Sequence, residues 1–408
     1  MPLTRIKFTG MDNLNPDYSI PAGKARNIVN CDINNQGNLL IPRPGSSRVY
    51  LGTDCHSWYE FEHSRGFGFF IEGNYLKRLN SDATVTTLKE VGPDPMSFCN
   101  IGDTVYFSNI RTCGRYIDGT IYNWGVDTPL LQPVAELNQT GGMYEGDYFI
   151  AITWMSNGEE SGALNSRLVH VTEGAGIRLS QFPTPPDYVD TVAVYCSNVN
   201  GADLYYYDEY PAHTTGEVFI RYFTGALKLD HQFGRKVTPG LGLTVHNGRI
   251  YWRDGTMVRY TDVHRYGTQS AFAYIPFEEV VTNIISLPTV LFVSTRKAIY
   301  RIDGFDTDQM SLTPVKLYGV AMNAVKYDTV DKKAYAFSDR GFIELSTEGI
   351  AELHSDSVVP PTFMEGTVAI VSQNGFRKLV FVGKQGEVSE LQHPSYTASE
   401  VARKGNGL

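Results

Sequence analysis

The stretch TVYFSNIRTCGRYIDG (104–119) indicates the fold: a strand of aromatic and β-branched residues, a polar turn, and a second strand that alternates apolar and polar residues. Similar hairpins are found at five other places: GFFIEGNYLKRL (68–79), RIYWRDGTMVRYTD (249–262), TVLFVSTRKAIYRIDG (289–304), KAYAFSDRGFIELST (333–347) and KLVFVGKQGEVSEL (378–391). Most copies follow one another at about 40 residues, which is the length of a four-stranded propeller blade. The pattern predicts an all-β chain, a β-propeller of about six blades.

The second and third copies are separated by about 100 residues more than one blade requires, close to the length of an immunoglobulin-like sandwich. The intervening segment contains alternating stretches such as MYEGDYFIAITWM (143–155) and TVAVYCSN (191–198), separated by turn residues. We therefore predict that 133–228 is an inserted β-sandwich that resembles a fibronectin type III domain.

The first 50 residues are polar and rich in turns, and Pro42, Pro44 and Gly45 disfavour a central strand. We interpret them as an extended arm that wraps the fold and feeds its last strand into a blade. The sequence thus divides into five predicted parts: arm 1–50, propeller 51–132, insert 133–228, propeller 229–395 and polar tail 396–408.

The composition excludes several classes of function. The 408 residues carry 35 Lys and Arg against 44 Asp and Glu, a net charge of −9, with no basic run, so tight DNA binding is not expected. The five cysteines are odd in number and form no CxxC pair, which favours a reducing cytoplasm. The sequence shows no signal-peptide core and no apolar run long enough for a membrane span.

Candidate metal ligands occur in two segments: His56, Glu60, Glu62 and His63 in the first, and Asp303, Asp306 and Asp308 in the second. The first has no zinc spacing and sits in a predicted strand. The second alternates as a calcium loop does, but the bidentate glutamate is missing. We expect polar surface and a turn, with neither metal nor cofactor.

No pattern indicates catalysis. The sequence has no GxSxG motif, and the adjacency of Cys55 and His56 does not orient a thiol toward an imidazole. The carboxylate pairs Glu159–Glu160 and Glu278–Glu279 would suit glycoside hydrolysis if the fold brought two carboxylates within about 5–9 Å, which the sequence leaves open. Because Glu159–Glu160 lies in a predicted hairpin turn, we expect both side chains to be solvated. We predict no catalytic residues and no enzyme.

Three further segments have two interpretations. GLGLTVHNG (240–248) is rich in glycine but lacks phosphate-loop spacing, so we interpret it as a linker into the propeller. The aromatic clusters YYYDEY (205–210) and IYNWG (121–125) could stack on sugars, although half of such residues in strands form core.

The arm contains the most specific pattern: Gly10, Pro21, Ala25, Asn30, Asp32, Gly37, Leu39 and Arg43-Pro44-Gly45 in that order. This opening resembles that of the tail nozzle, or tail stabilisation, proteins of short-tailed bacteriophages. In that family a glycine-led start, an Ala/Asn stretch and a Gly-x-Leu precede an Arg-Pro-Gly or Arg-Pro-Pro, and propeller blades interrupted by sandwich-like insertions follow. The resemblance is specific over the first 50 residues and architectural over the rest.

The resemblance implies a structural virion protein, assembled in the bacterial host cytoplasm and located in the tail. Its implied partners are further copies of itself in a ring of about six, the portal or adaptor, and tail fibres or spikes. Genomic DNA would pass through without specific binding, and no membrane insertion is implied. Two alternatives stay open: a receptor-binding or glycan-degrading tail propeller, and a cellular β-propeller scaffold, although the WD dipeptides frequent in such scaffolds are missing.

Overall fold

The computed structural model describes residues 7–29, 31–33, 39–42, 49–60, 66–213, 216–304, 309–353, 358, 360–373 and 376–384. These residues form β-strands joined by turns, with a short 3-10 turn at Asp17–Ser19. The prediction of an all-β chain is confirmed. The described residues form two compact units: a first unit from 1–52, 255–257 and 277–408, and a second unit from 53–254 and 258–276.

The N-terminal part of the first unit contains four short strands: β1 (Gly10–Met11), β2 (Lys24–Ala25), β3 (Cys31–Ile33) and β4 (Leu40–Pro42). β1 and β2 pair in parallel, and β3 and β4 pair antiparallel. Buried Asp12 fixes the turn after β1 because its carboxylate accepts hydrogen bonds from the backbone and side-chain amides of Asn15 at 3.1 and 2.9 Å. Among the described residues of this region no strand joins a larger sheet. Residues 43–48, near the end of the arm, lie outside the described residues, so the feeding of its last strand into a blade stays a prediction.

The second unit begins with two four-stranded antiparallel sheets. The strands are β5 (Cys55–Glu60), β6 (Phe67–Glu72), β7 (Tyr75–Asn80), β8 (Val85–Glu90), β9 (Ser97–Ile101), β10 (Thr104–Ser108), β11 (Cys113–Ile117) and β12 (Thr120–Tyr122). Each sheet is a meander in chain order, as in a propeller blade. Phe69 and Leu76 of the first sheet pack against Phe107 and Tyr116 of the second in one buried cluster.

Two more sheets follow in the second unit and share a core. Their strands are β13 (Val134–Asn138), β14 (Gly146–Ser156), β15 (Glu159–Glu160), β16 (Arg167–Val171), β17 (Gly176–Ser180), β18 (Thr191–Ser197), β19 (Leu204–Pro211) and β20 (Val218–Ile220). The order is β13-β17-β20 in one sheet and β15-β14-β18-β19, with β16 also on β14, in the other. Ile152, Val194 and Ile177 lie in the cluster that both sheets bury, a sandwich arrangement.

The second unit closes with a two-stranded ladder and a third blade-like sheet. The strands are β21 (Arg235–Lys236), β22 (Leu241–His246), β23 (Arg249–Asp254), β24 (Met257–Tyr260), β25 (Thr268–Gln269) and β26 (Tyr274–Pro276). Trp252 of this sheet meets Tyr106 and Trp124 in a buried aromatic cluster, so it packs on the second sheet although the sandwich separates them in sequence. The predicted linker 240–248 is therefore mainly a blade strand, ended by an Asn247-Gly248 turn in which both residues have positive φ.

The C-terminal part of the first unit contains two sheets. The strands are β27 (Asn283–Ser286), β28 (Leu291–Ser294), β29 (Ile299–Asp303), β30 (Ser311–Lys316), β31 (Val320–Asp328), β32 (Lys333–Ser338), β33 (Gly341–Leu345), β34 (Ile350–Glu352), β35 (Glu365–Gln373) and β36 (Phe376–Lys384). β27–β30 form a four-stranded sheet, and β34-β33-β32-β31-β35-β36 form a six-stranded one. Phe292 and Ile343 lie in the core that the two sheets share.

The described residues contain five blade-like sheets, fewer than the six that we expected. The sixth predicted hairpin contributes only β36, which pairs with β35. This pair extends the sheet of β31–β34 through a single parallel bridge between Met322 of β31 and Glu365 of β35. The second half of the hairpin, residues 385–391, lies outside the described residues, as do the tail 396–408 and the Arg43-Pro44-Gly45 motif.

Candidate functional site

A group of buried charges lies in the second unit, where the tip of a long sandwich hairpin meets the second blade-like sheet. The hairpin β14–β15 turns at Asn157-Gly158, both with positive φ, as a type I′ turn requires. Directly after the turn, Glu159 and Glu160 point to opposite faces because successive strand residues alternate. The two carboxylates therefore do not converge on one substrate. We call the charged groups around them the junction network.

Arg115, in the middle of β11, is the partner of Glu159. Its Nη1 lies 3.2 Å from Oε1 of Glu159, and the side chains of the two are only 8% and 12% exposed. Nη2 of Arg115 also donates to the carbonyl of Asn157 at 3.0 Å, and the guanidinium lies over the Tyr122 ring at 5.9 Å. One arginine thus holds both the turn and the strand that follows it.

Two glycines make room for the Glu159 carboxylate. The N–H of Gly125 donates to Oε2 of Glu159 at 2.9 Å, and the Trp124 indole N–H donates to the Tyr266 carbonyl at 2.5 Å, which brings 124–125 against 266–267. A methyl group on Gly267 would lie 2.6 Å from the carboxyl carbon, and one on Gly125 would lie 2.3 Å from the Gly267 oxygen. No side chain larger than hydrogen fits at either position without displacement of its neighbours.

Burial raises the pKa of Glu159, while the Arg115 charge and the Gly125 N–H act against that rise. A carboxyl group with a raised pKa is a candidate proton donor when it borders a substrate site. Here, however, both oxygens already have protein partners in Arg115 and Gly125. The arrangement therefore suits anchoring better than proton transfer.

Glu160 faces the other side and gathers hydroxyl donors. The hydroxyl groups of Thr153 and Tyr195 donate to Oε1 of Glu160 at 2.6 and 2.5 Å. Burial, followed by the hydrogen bond to the Glu160 carboxylate, raises the pKa of Tyr195. These bonds join β15 to β14 and β18 inside the sandwich sheet.

His231 continues this network toward Arg265. Nη1 of Arg265 lies 2.6 Å from Nδ1 of His231, and Nε2 of His231 lies 3.4 Å from Oε2 of Glu160. Arginine can only donate, so Nδ1 must accept, and the ring proton then sits on Nε2 facing Glu160. Burial is the main reason that the pKa of His231 lies below its ordinary value, and Arg265 adds to it against the opposing charge of Glu160.

A third group of polar side chains joins the Pro-rich crossover 182–190 to Asp127 and Lys236, which lie outside the sandwich sheets. The Tyr188 hydroxyl donates to Asp127, and Nζ of Lys236 lies 3.1 Å from the same carboxylate. Nζ of Lys236 also lies 5.3 Å from the Tyr188 ring centroid, within cation–π range. The sandwich is thus attached to the blade-like sheets of its own unit at three places, around Glu159, around Glu160 and around Asp127. The bonds at all three places are buried or half-buried and polar.

The expectation that Glu159 and Glu160 would be solvated is wrong, because the hairpin tip is buried against β11. Glu278 is exposed, and Glu279 forms an ion pair with Lys297. Glu159–Glu160 belongs to the second unit and Glu278–Glu279 to the first. The sequence analysis also missed Arg115 and Gly125. The only sequence feature that marks Arg115 is its charge within an apolar strand, and the only one that marks Gly125 is its place directly after a tryptophan.

The remaining candidate residues do not form a site among the described residues. In the first segment, His56 and Glu60 lie on β5, whereas Glu62 and His63 fall outside the described residues. In the second segment, Asp303 ends β29, whereas Asp306 and Asp308 fall outside the described residues. In the part of the chain that the structure describes, no group of three or more potential ligands could hold a metal ion. Nδ1 of His56 contacts Ser57 Oγ at 2.8 Å, whereas the Cys55 thiol lies near the Thr53 carbonyl.

The aromatic clusters divide between core and surface. Trp124 of the 121–125 cluster is fully buried against Trp252 with ring centroids 5.7 Å apart, so it is no sugar platform. Tyr205, Tyr206 and Tyr207 on β19 are half-buried, with Tyr206 packed edge-on to Tyr195.

Comparisons with known proteins add little. No protein-family model and no curated protein matches the chain. Among solved structures, the extracellular domain of a putative one-component system from B. thetaiotaomicron is 12% identical over 86% of this chain and 49% of its own, with a TM-score of 0.25. AztD from Citrobacter koseri is 12% identical over 69% and 73%, with a TM-score of 0.20. PorZ from Porphyromonas gingivalis, a surface component of the type-IX secretion system, is 11% identical over 76% and 48%, with a TM-score of 0.22.

The chain spans about half the length of the first of these structures. None of the three is described as a phage protein, and the low TM-scores support no transfer of function. Within the described residues, no helix has the length and apolar character needed to cross a membrane.

Proposed function

We propose that this chain is a structural subunit of the tail nozzle of a short-tailed bacteriophage. In this proposal several copies form a ring below the portal or adaptor, retain the packaged DNA and provide its exit channel. The ring is expected to hold about six copies, since closed rings are a common way for identical subunits to assemble. The proposal makes the chain a virion component and not an enzyme.

The observation that carries the proposal is the resemblance of the arm, from Gly10 to Arg43-Pro44-Gly45, to the opening of nozzle proteins. Blade-like sheets with an intervening sandwich agree with the architecture expected of that family. The junction network supports a mechanical role, because a buried ion pair at Glu159 and a buried contact of Glu160 with His231 attach the sandwich to the neighbouring sheets of its unit. These contacts occupy the two carboxylates that catalysis would need.

The acidic composition also suits the proposed channel. With a net charge of −9 and no basic run, the chain has little means to neutralise successive phosphates. DNA would then move past it with little adhesion, which a particle that ejects its genome requires.

The test is to quantify this protein by mass spectrometry in purified phage particles, relative to the portal protein. A ratio of about one-half to one, as expected for a ring on a portal, would support the proposal. Absence from the particles would reject the virion role and favour a cellular scaffold.

A second experiment tests the arm. A chain that lacks residues 1–45 should keep its cooperative unfolding transition but incorporate poorly into particles, because the arm is polar and its described strands pair only with one another. Normal incorporation of the truncated chain would show that the arm is not an assembly element.

A further inference from the structure

His231 lies in the segment that leads from the sandwich back to the third blade-like sheet, between β20 and β21. It belongs to the junction network, and its side chain is only 4% exposed. Two charged groups from different parts of the unit face its ring: Glu160, on β15 of the sandwich, and Arg265, in the turn between β24 and β25. The charge of the ring therefore decides which of the two it holds.

The contact with Arg265 requires an uncharged ring. Nη1 of Arg265 lies 2.6 Å from Nδ1 of His231 and 3.5 Å from Nε2, so the guanidinium lies against the ring. Because a guanidinium can only donate, Nδ1 must be unprotonated to accept from it. Protonation would place two cations at this distance in the interior, where charges are poorly screened. The Arg265 contact is therefore lost when His231 takes up a proton.

The contact with Glu160 responds in the opposite sense. Nε2 of His231 lies 3.4 Å from Oε2 of Glu160, which is longer than an ordinary hydrogen bond, and a charged ring would convert this contact into an ion pair. Glu160 itself stays in the sandwich sheet, because the hydroxyl groups of Thr153 and Tyr195 donate to its other oxygen. A protonated His231 thus remains with the sandwich and gives up the Arg265 turn.

The turn around Arg265 has supports of its own. The N–H of Asp262 donates to the Thr268 carbonyl at 3.0 Å, and the Thr268 hydroxyl donates to the Asp262 carboxylate, also at 3.0 Å. The buried ion pair between β11 and β15 contains no histidine and is independent of this contact. Loss of the contact between His231 and Arg265 should therefore open one side of the junction and leave the rest of the unit folded.

We propose that His231 is a pH-sensitive switch in the attachment of the sandwich. Near neutral pH the uncharged ring joins Glu160 of the sandwich to the Arg265 turn, whereas in mild acid the charged ring pairs with Glu160 alone and releases the turn. Of the charged groups that face His231, Glu160 and Asp262 favour the charged ring and Arg265 opposes it. Because burial holds the pKa of His231 below its ordinary value of 6.5, release is expected below that pH. This inference goes beyond the proposed nozzle function and does not depend on it.

Hydrogen exchange of the purified full-length chain, followed by mass spectrometry between about pH 7.5 and about pH 5, tests the switch. The reporters are the N–H of Ala163, which donates to the Gln232 carbonyl at 2.7 Å, and that of Gly234, which donates to the His231 carbonyl at 2.8 Å. After correction for the intrinsic effect of pH, we expect exchange in their peptides to be about tenfold faster in acid, since one charged hydrogen bond is lost. Peptides of β14 and β18 should keep their protection. No acceleration at the reporters, or equal acceleration in β14 and β18, would overturn the proposal.

Variants identify the groups that respond. His231→Gln keeps an acceptor for Arg265 but does not titrate, so the acceleration should disappear. Arg265→Gln keeps a donor but removes the cation that a charged ring would meet, so most of the acceleration should disappear as well. Arg259→Gln is the matched control, because it removes an arginine of β24 that pairs with Asp254 at 2.7 Å, and it should keep the full acceleration. Full acceleration in either of the first two variants would show that another contact responds to acid and would overturn the proposal.

Discussion

The chain contains two adjacent glutamate pairs with opposite environments. Glu159–Glu160 follows a tight turn and is buried among Arg115, Tyr195 and His231. Glu278–Glu279 lies in an irregular segment, where Glu278 is exposed and Glu279 meets Lys297, whose side chain is 82% exposed. The same dipeptide thus has two buried members in one unit, whereas in the other it has one exposed member and one that meets an exposed lysine.

The difference shows what decides how much a charged pair contributes to the stability of the fold. An exposed pair gains little because water screens it and long side chains lose freedom to form it. A buried pair need not stabilise the fold more than apolar residues would, but removal of one partner leaves an uncompensated charge in the interior. The following predictions test this contrast, from the largest expected effect to the smallest.

Arg115→Ala should lower the free energy of unfolding by about 3–5 kcal/mol, because it leaves Glu159 buried without its cation. Urea unfolding followed by tryptophan fluorescence measures the loss. The double variant Arg115→Ala with Glu159→Gln should recover part of the lost stability, since the amide carries no charge. A double variant no more stable than the single one would show that lost packing of Arg115, and not the buried charge, sets the effect.

Glu160→Ala should cost about 2–3 kcal/mol, because the hydroxyl groups of Thr153 and Tyr195 lose a charged acceptor. Glu160→Gln keeps an acceptor oxygen and should lose less. Thermal unfolding of the two variants and the unaltered chain gives the comparison. Equal losses for Ala and Gln would mean that the charge, and not the acceptor geometry, stabilises this face.

Stability should fall as the pH drops through the range just below 6.5, because the pKa of buried His231 lies below that ordinary value. The unfolded chain then takes up a proton before the folded chain does. The contribution is complete above pH 6.5 and is lost toward the lower folded pKa, with a slope of at most about 1.4 kcal/mol per pH unit. The groups that act on His231 are Glu160, Arg265 and Asp262.

Urea unfolding at several pH values measures this slope. His231→Gln should reduce it, because the buried imidazole is then replaced by a side chain that does not titrate. An unchanged slope in the His231 variant would assign the pH dependence to other groups.

Lys297→Ala should leave the unfolding midpoint unchanged within error. Its partner Glu279 is mostly covered, but the lysine side chain is exposed, so water screens the pair. Differential scanning calorimetry at low and high salt is the measurement. A clear loss of stability would mean that the two glutamate pairs are more alike than their exposure suggests.

The sequence predicted the strands of five blade-like hairpins well, because alternation of apolar and polar residues is a local property of the chain. It failed for 240–248, where several glycines suggested a linker although Leu241–His246 is a blade strand. Gly242 has a positive φ at a bulge in that strand, so glycine there serves the strand's own geometry.

The prediction from sequence also failed for Glu159–Glu160. Asn157-Gly158 indicates a hairpin turn, and hairpin turns usually lie at the surface. No local sequence pattern shows that Arg115, which lies more than 40 residues earlier and on a neighbouring sheet, contacts this turn.

The sequence by itself therefore determined the strand class of the chain, its repeated hairpins and its acidic charge, since these depend on residue type and spacing along the chain. The tertiary structure decided which glutamates are buried, which strand Phe376–Lys384 joins, and that Glu160 and Arg265 face the same histidine. These depend on contacts between residues that are distant in sequence, whose free energies no local pattern encodes.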